Sequence, residues 1–286
     1  MAALINEAAE GGPGAVDEAE VRHWLASPED LAFAAVENDD GAILAYADLA
    51  VPREATDRAW LDVRIPRRTL GDATLDAVLH WTEERAGERG STLLRASVAG
   101  TSPIGEMLSG RGFRPIRHSL EMCIDLDEPP ETPRWPEGIA VRTLRGGEEG
   151  AVYEVAQESF QDHWEYVRDP YEQWAHFMLG AEDFDPSLWF LALDAEEIAG
   201  VSLCRASRPG RPGVGWVRVL GVRRPWRRRG LGLALLLHSF GELWRRGARA
   251  VGLGVDAENL TGAVRLYERA GMWVEHRYDI YERRLP

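Results

Sequence analysis

The chain has no lysine. All 33 of its basic side chains are arginine, against 47 acidic ones, leaving a formal charge of −14 over 286 residues. That shortage of positive charge argues against nucleic acid as the main partner, because phosphate backbones are bound through excess basic charge. It suits cationic ligands such as amines, and acidity serves equally as a solubility device. Cysteine is nearly missing too: Cys123 and Cys204 stand far apart and without metal-ligand spacing. This excludes a disulfide framework and a cysteine-built metal centre, so no metal is expected, and reduced thiols in a cytoplasmic protein are. No apolar run approaches the ~20 residues of a membrane span. The first twenty residues lack the basic start and apolar stretch of a secretion signal. With 45% apolar and 28% charged residues the composition excludes a disordered or fibrous chain. The length implies one or two domains.

What the chain does have is an internal repeat. Val222-Arg223-Arg224-Pro225-Trp226-Arg227-Arg228-Arg229-Gly230-Leu231-Gly232 stands against Val63-Arg64-Ile65-Pro66-Arg67-Arg68-Thr69-Leu70-Gly71-Asp72-Ala73. Ala270-Gly271-Met272 stands against Arg111-Gly112-Phe113 at the same offset. A period this long marks a duplicated domain, not a solenoid. The acidic stretch 127–137, with Pro129, Pro130, Pro133 and Pro136, reads as a linker between domains at 1–126 and 138–286. In the second domain the pattern predicts strands at 139–143, 188–193, 198–204, 214–222, 250–255 and 277–283. Helices are predicted at 150–160, 171–179, 232–246 and 260–269. The first domain reads as strands at 31–36, 42–51 and 60–65 and a helix at 72–85. Its opening has no clear strand, so the first elements of the repeat are expected to be lost. The order is that of an α/β fold with a mixed sheet.

Two patterns carry chemistry. Arg227-x-x-Gly230-x-Gly232 lies between an apolar strand and a helix start, where glycines let backbone amides approach a ligand and the helix N-terminus favours phosphate. Around it, Arg223, Arg224, Arg227, Arg228 and Arg229 put five guanidinium groups within seven residues, and arginine binds phosphate in a forked geometry that lysine lacks. Taken alone, the loop has a solvated basic turn as its lesser alternative reading. Downstream comes Asn259-x-x-x-Ala263-x-x-Leu266-Tyr267-x-x-x-Gly271. Asn259 is placed to cap the following helix, and Tyr267 alone reads as a core aromatic.

The two patterns together, in this order and spacing, resemble the GNAT superfamily of N-acetyltransferases. The first half resembles a degenerate copy of the same fold, and the tandem arrangement is similar to that of the mycothiol synthases. The resemblance implies acetyl-coenzyme A as donor. Backbone amides from Arg228 through Arg229, Gly230 and Leu231 to Gly232 would hold its pyrophosphate. Leu220 and Val222 would pair with the pantetheine arm like an added strand, with a backbone amide near Leu220 polarising the thioester carbonyl. Asn259 would bond the pantetheine or the loop beside it, and Tyr267 would protonate the departing thiolate. The acceptor would be an unprotonated amine attacking directly, with no acyl-enzyme; Cys204 has no activating base beside it in sequence.

One departure concerns the general base. Where many members carry a Glu on the strand before the phosphate loop, Trp216 stands here, and no acid occurs from Ser207 to Gly230. The segment after the first helix of the second domain offers Asp162, His163 and Glu165 as substitute bases or substrate contacts, with an exposed capping loop as the alternative. Trp216 is expected to wall the acceptor pocket, and Trp164, Trp174 and Trp216 to line one groove. In the first half, Asp72 sits inside the loop that should meet phosphate, Gly100 replaces the Asn, and Leu108 replaces the Tyr. That domain is therefore expected to be non-catalytic. The expected activity is acetyl transfer from acetyl-CoA to a primary amine of a small molecule, a mycothiol-precursor amine or an aminoglycoside-like antibiotic among the options, by a monomer or homodimer. The competing reading is a non-catalytic acyl-CoA-binding or regulatory module.

Overall fold

A computed structural model describes residues 1–9, 15–27, 31–52, 56–208, 210–259 and 261–285. Two compact units form: Met1–Ser119 together with His276–Pro286, and Leu120–Glu275. In chain order the elements run α1 (Ala2–Ala8), α2 (Glu18–Leu25), β1 (Ala32–Glu37), β2 (Ile43–Ala50), β3 (Arg58–Arg64), α3 (Asp72–Glu88), β4 (Leu93–Ala99), α4 (Ile104–Ser109) and β5 (Arg114–Asp125). They continue with β6 (Ile139–Thr143), α5 (Glu149–Phe160), α6 (Tyr171–Leu179), β7 (Trp189–Asp194), β8 (Glu197–Arg205), β9 (Val214–Val222), α7 (Leu231–Arg245), β10 (Ala250–Asp256), α8 (Ala263–Arg269) and β11 (Trp273–Arg284). The mixed α/β class is the expected one. No helix among the described residues is long and apolar enough to cross a membrane.

The second unit orders its strands β5-β10-β9-β8-β7-β6, with β9 and β10 parallel and the β6-to-β9 pairs antiparallel. Strand β7 is buried on both faces, so its sequence Trp-Phe-Leu-Ala-Leu is unbroken apolar. Its Phe190 and Ala192 join Leu235, Phe240 and Leu243 of α7, whereas Trp189, Leu191 and Leu193 join Val152 and Val155 of α5 and Trp174 of α6. Helix α7 repeats apolar residues around most of its circumference because it fills this core. It comes close enough to β9 that a Cβ on Gly215 would stand 2.9 Å from Leu243.

The first unit orders its strands β1-β2-β3-β4-β11. One face packs Ala45, Ala47, Leu61, Val63, Leu94 and Ala96 under Leu75, Val78 and Leu79 of α3. The other carries a small apolar cluster, Leu4, Ile5, Val16, Val21 and Tyr46. No described residue before Ala32 is a strand, so the unit opens with two short helices. The pattern at 277–283 predicts the last strand of the second half. Strand β11 in fact runs Trp273–Arg284 and pairs antiparallel with β4 of the first unit, Tyr278 against Ala99 through Arg284 against Leu93. The helix expected from Leu260 begins only at Ala263, after Gly262 at φ 77; Leu260 lies outside the described residues.

Candidate active site

The site grows from a fork between two strands. β9 and β10 pair only over Val214–Val217 and Ala250–Leu253. Beyond Val217, β9 keeps its antiparallel partner β8 up to Val222 but has none in β10. The divergence starts at a bulge. Leu203 faces Val219 and Cys204 faces Val217, so Arg218 is the extra residue on β9, and it donates a hydrogen bond from Nη1 to the Phe177 carbonyl (2.7 Å). Past the bulge, Leu220 and Val222 lie against the α7–α8 core, whereas Gly221 faces α5. A Cβ on Gly221 would meet Ser159 at 2.9 Å, and the buried Ser159 Oγ has no hydrogen-bond partner among the described residues. The fork leaves backbone groups of β9 able to accept an added strand.

The phosphate-loop residues sit at the head of α7. Arg228 has φ 63 and Gly230 φ 84, two left-handed residues that turn the chain sharply into the helix. The opening amides of α7 have no carbonyl one turn earlier, so they are unpaired donors with the positive end of the dipole behind them. Gly232 lies where three segments meet: its Cβ position is 3.1 Å from Leu266 and 3.7 Å from Val222.

The five arginines do not act alike. Arg223 donates to Glu158 (2.6 Å) and Glu197 (2.5 Å), Arg224 to Asp162, and Arg227 to Asp162 (2.5 Å), the Val222 carbonyl (2.9 Å) and the Ser159 carbonyl (3.0 Å). Three of the five charges are thus compensated within the fold, and Arg227 ties the loop to α5. Arg228 and Arg229 are exposed and make no ion pair among the described residues. The basic loop therefore presents two free guanidinium groups rather than five.

The same clamps define the acids. Hydrogen bonds from Arg224 and Arg227 hold the Asp162 carboxyl well below the usual carboxylate range, so it has little appetite for a proton near neutrality. Glu165 is exposed, at φ 48. His163 is half-buried, with the Phe160 ring 4.4 Å from its own, and its Nε2 lies 3.3 Å from Asn259 Nδ2. Burial lowers its pKa and so favours the neutral ring. Asn259 does not cap α8, as Gly262 occupies that position. Its Oδ1 accepts instead from the Thr261 amide (2.7 Å) and hydroxyl, an Asx turn.

Tyr267 is only 8% exposed and belongs to the α7–α8 core. Its hydroxyl has no hydrogen-bond partner among the described residues, and burial pushes its pKa up to about 12. Trp216 lies on the paired part of β9, its ring packed over Gly252 and under the Arg208 guanidinium at 4.6 Å. Trp174 is buried against Trp189 (5.8 Å) and does not stack with Trp216. Cys204 is fully enclosed, with Ser202 Oγ at 3.6 Å, and burial raises its thiol to about 11, which leaves no thiolate for acylation.

The first unit repeats the fork and not the rest. β3 and β4 pair only over Arg58–Leu61 and Leu93–Ala96. Gly71 before α3 is extended, Arg68 pairs with Glu7 (2.5 Å), and Asp72 accepts from Arg111 (2.7 Å). Leu108 is fully buried and offers no hydroxyl. Sequence reasoning missed the acids that absorb Arg223, Arg224 and Arg227, and the meeting of His163 with Asn259. Apart from Arg223–Glu197, which are 26 residues apart, these contacts join segments more than 60 residues apart, and no local signal marks them.

An open strand end meets a helix N-terminus with unpaired amides at Gly232, where the helix that carries Tyr267 also packs, so the arrangement can accept an extended chain and an anionic group. The chain belongs to the acetyltransferase (GNAT) family, whose family profile matches residues 150–272. It is similar over nearly its whole length to mycothiol acetyltransferases. That of Geodermatophilus obscurus is 34% identical, covering 97% of this chain and 90% of the relative. That of Streptomyces coelicolor is 31% identical, covering 98% and 89%. Among solved structures, a GCN5-related N-acetyltransferase from Sphaerobacter thermophilus is 35% identical with a TM-score of 0.79, covering 99% of this chain and 90% of that one. A tandem GNAT protein from the clavulanic acid biosynthesis pathway shares the fold, with a TM-score of 0.79 at 18% identity and coverage of 100% and 94%. The chain is thus an acetyltransferase of tandem GNAT type.

Proposed function

We propose that the chain transfers an acetyl group from acetyl-CoA to the primary amine of a small molecule, with the second half as the catalytic domain and the first half non-catalytic. The observation that carries the reading is the convergence at Gly232 of the forked strand, the unpaired amides of α7 and the helix bearing Tyr267. In this reading the amides from Arg228 to Gly232 hold the pyrophosphate, aided by the side chains of Arg228 and Arg229. The β9 backbone at Leu220 and Val222 lines the pantetheine arm, and an amide near Leu220 polarises the thioester carbonyl. The amine attacks that carbonyl directly, and Tyr267 donates a hydrogen bond or proton to the departing sulfur. With no acid on β9 and Asp162 clamped, solvent takes the amine's proton. The name of the relatives makes a mycothiol-precursor amine the first acceptor to try.

The uncompensated loss of the strand carboxylate also favours a second reading, a module that binds acyl-CoA without turnover. Thiol release from acetyl-CoA, measured with that amine and an aminoglycoside panel, tests both. Acceptor-dependent release supports the enzyme. Tight donor binding with no release for any amine, in wild type and Tyr267→Phe alike, supports the module.

A further inference from the structure

We propose that His163 is a positioning residue of the donor site: it accepts a hydrogen bond from the Asn259 amide and so clasps the loop after α5 to the loop after β10, across the open end of the β9–β10 fork. The inference rests on the proposed donor site and extends it to a residue that touches no reacting atom.

The chemistry of the contact fixes its direction. Asn259 Oδ1 is held by the Thr261 backbone N–H at 2.7 Å, a group that can only donate. The amide therefore turns its NH2 toward His163, whose Nε2 lies 3.3 Å away. Nε2 must offer a lone pair, so the ring is neutral and carries its proton on Nδ1. The groups around the ring are Phe160 of α5, Asp162 beside it in the chain, Arg227 from the loop before α7, and Asp256 at the end of β10. Burial and the Arg227 charge favour the neutral ring, and the two aspartates oppose them.

The contact also joins two separate arms. Helix α5 leans on β9, where Ser159 meets Gly221, and Asn259 follows the end of β10 that no longer pairs with β9. Without the clasp, nothing in this contact holds Asn259 to the β9 side of the fork. Protonating His163 places N–H against NH2 and breaks the clasp. A role as general base fits the geometry less well, because the one free lone pair is already used.

The test is calorimetric titration of the full chain with dephospho-coenzyme A, which lacks the monoester phosphate that itself titrates near pH ~6. Wild type is expected to bind about three- to tenfold more weakly at pH ~4.5, where the ring is protonated despite its burial, than at ~7.5, the worth of one hydrogen bond. His163→Gln, whose side-chain oxygen accepts the same bond but does not titrate, should match wild type at the higher pH and lose the dependence. His163→Ala should be weak at both. Binding by wild type that is flat in pH, or a Gln variant as weak as Ala, overturns the proposal and leaves the donor site standing. No binding at any pH overturns both. Side-chain 15N spectra of the free protein give an independent reading: a protonated Nε2 on His163 at neutral pH would refute the clasp whatever the ligand does.

Discussion

Replacing Tyr267 by Phe removes one oxygen from a ring otherwise packed in the α7–α8 core. Burial raises the hydroxyl to about 12, so it keeps its proton throughout the working range. An ordinary phenol, at ~10, would already be about one-tenth ionised at pH 9. The same shift makes Tyr267 a weak acid. A departing thiolate with an ordinary thiol pKa of ~8.5 lies about 3.5 pKa units lower, so complete proton transfer would be uphill by roughly 5 kcal/mol. A hydrogen bond to the developing charge on sulfur requires no such transfer and contributes ~1.5–3 kcal/mol. Tyr267→Phe is therefore expected to lower kcat about 10- to 150-fold. The KM for acetyl-CoA and the melting temperature should barely move, since the hydroxyl has no partner to orphan among the described residues. Thiol release at saturating donor, followed from neutral pH to ~10, measures both the loss and the absence of an alkaline limb from this group. A loss under about threefold, or one confined to KM, would refute the reasoning.

Three further outcomes are expected. Asp48 stands directly opposite Asp62 on β2 and β3, and burial, then the Asp62 charge, raises its carboxyl to about 7. Between pH ~4 and ~7 the folded state keeps a proton that the unfolded chain has released, so stability falls with rising pH by about 4 kcal/mol; urea unfolding at pH 5 and 8 should show Asp48→Asn flattening that fall. Gly221→Ala would push a methyl to 2.9 Å from Ser159 and is expected to destabilise by ~1–3 kcal/mol, measured by thermal melting and relieved by adding Ser159→Gly. Arg228→Ala and Arg229→Ala should weaken coenzyme A binding and reduce its salt dependence without changing the melting temperature, whereas Arg227→Ala, which cuts three bonds, one each to α5, the loop after it and β9, should lower the melting temperature.

Much of this protein is written locally. The alternation of β2 and β3, the apolar run of β7 and the helical spacing of α7 depend on near neighbours, and the strand and helix positions follow from them to within a few residues. The duplication, the Arg227-x-x-Gly230-x-Gly232 loop and the Asn259–Tyr267 spacing are equally visible, because glycine at a left-handed turn and a helix-borne tyrosine are short-range requirements. Charge compensation is different. Whether an arginine is free for phosphate or bound to an acid depends on what the fold sets opposite it, and Asp162 lies 65 residues from Arg227. The same holds for β11, whose side chains suit a sheet but do not say which one, and which pairs with β4 far earlier in the chain. It holds again for His163, an unremarkable loop histidine until Asn259 arrives from 96 residues away. Backbone periodicity and turn chemistry are properties of the sequence itself, so the sequence determines the elements and the class of site. Partners in ion pairs, clasps and strand ladders are chosen by packing, and only the tertiary structure decides them.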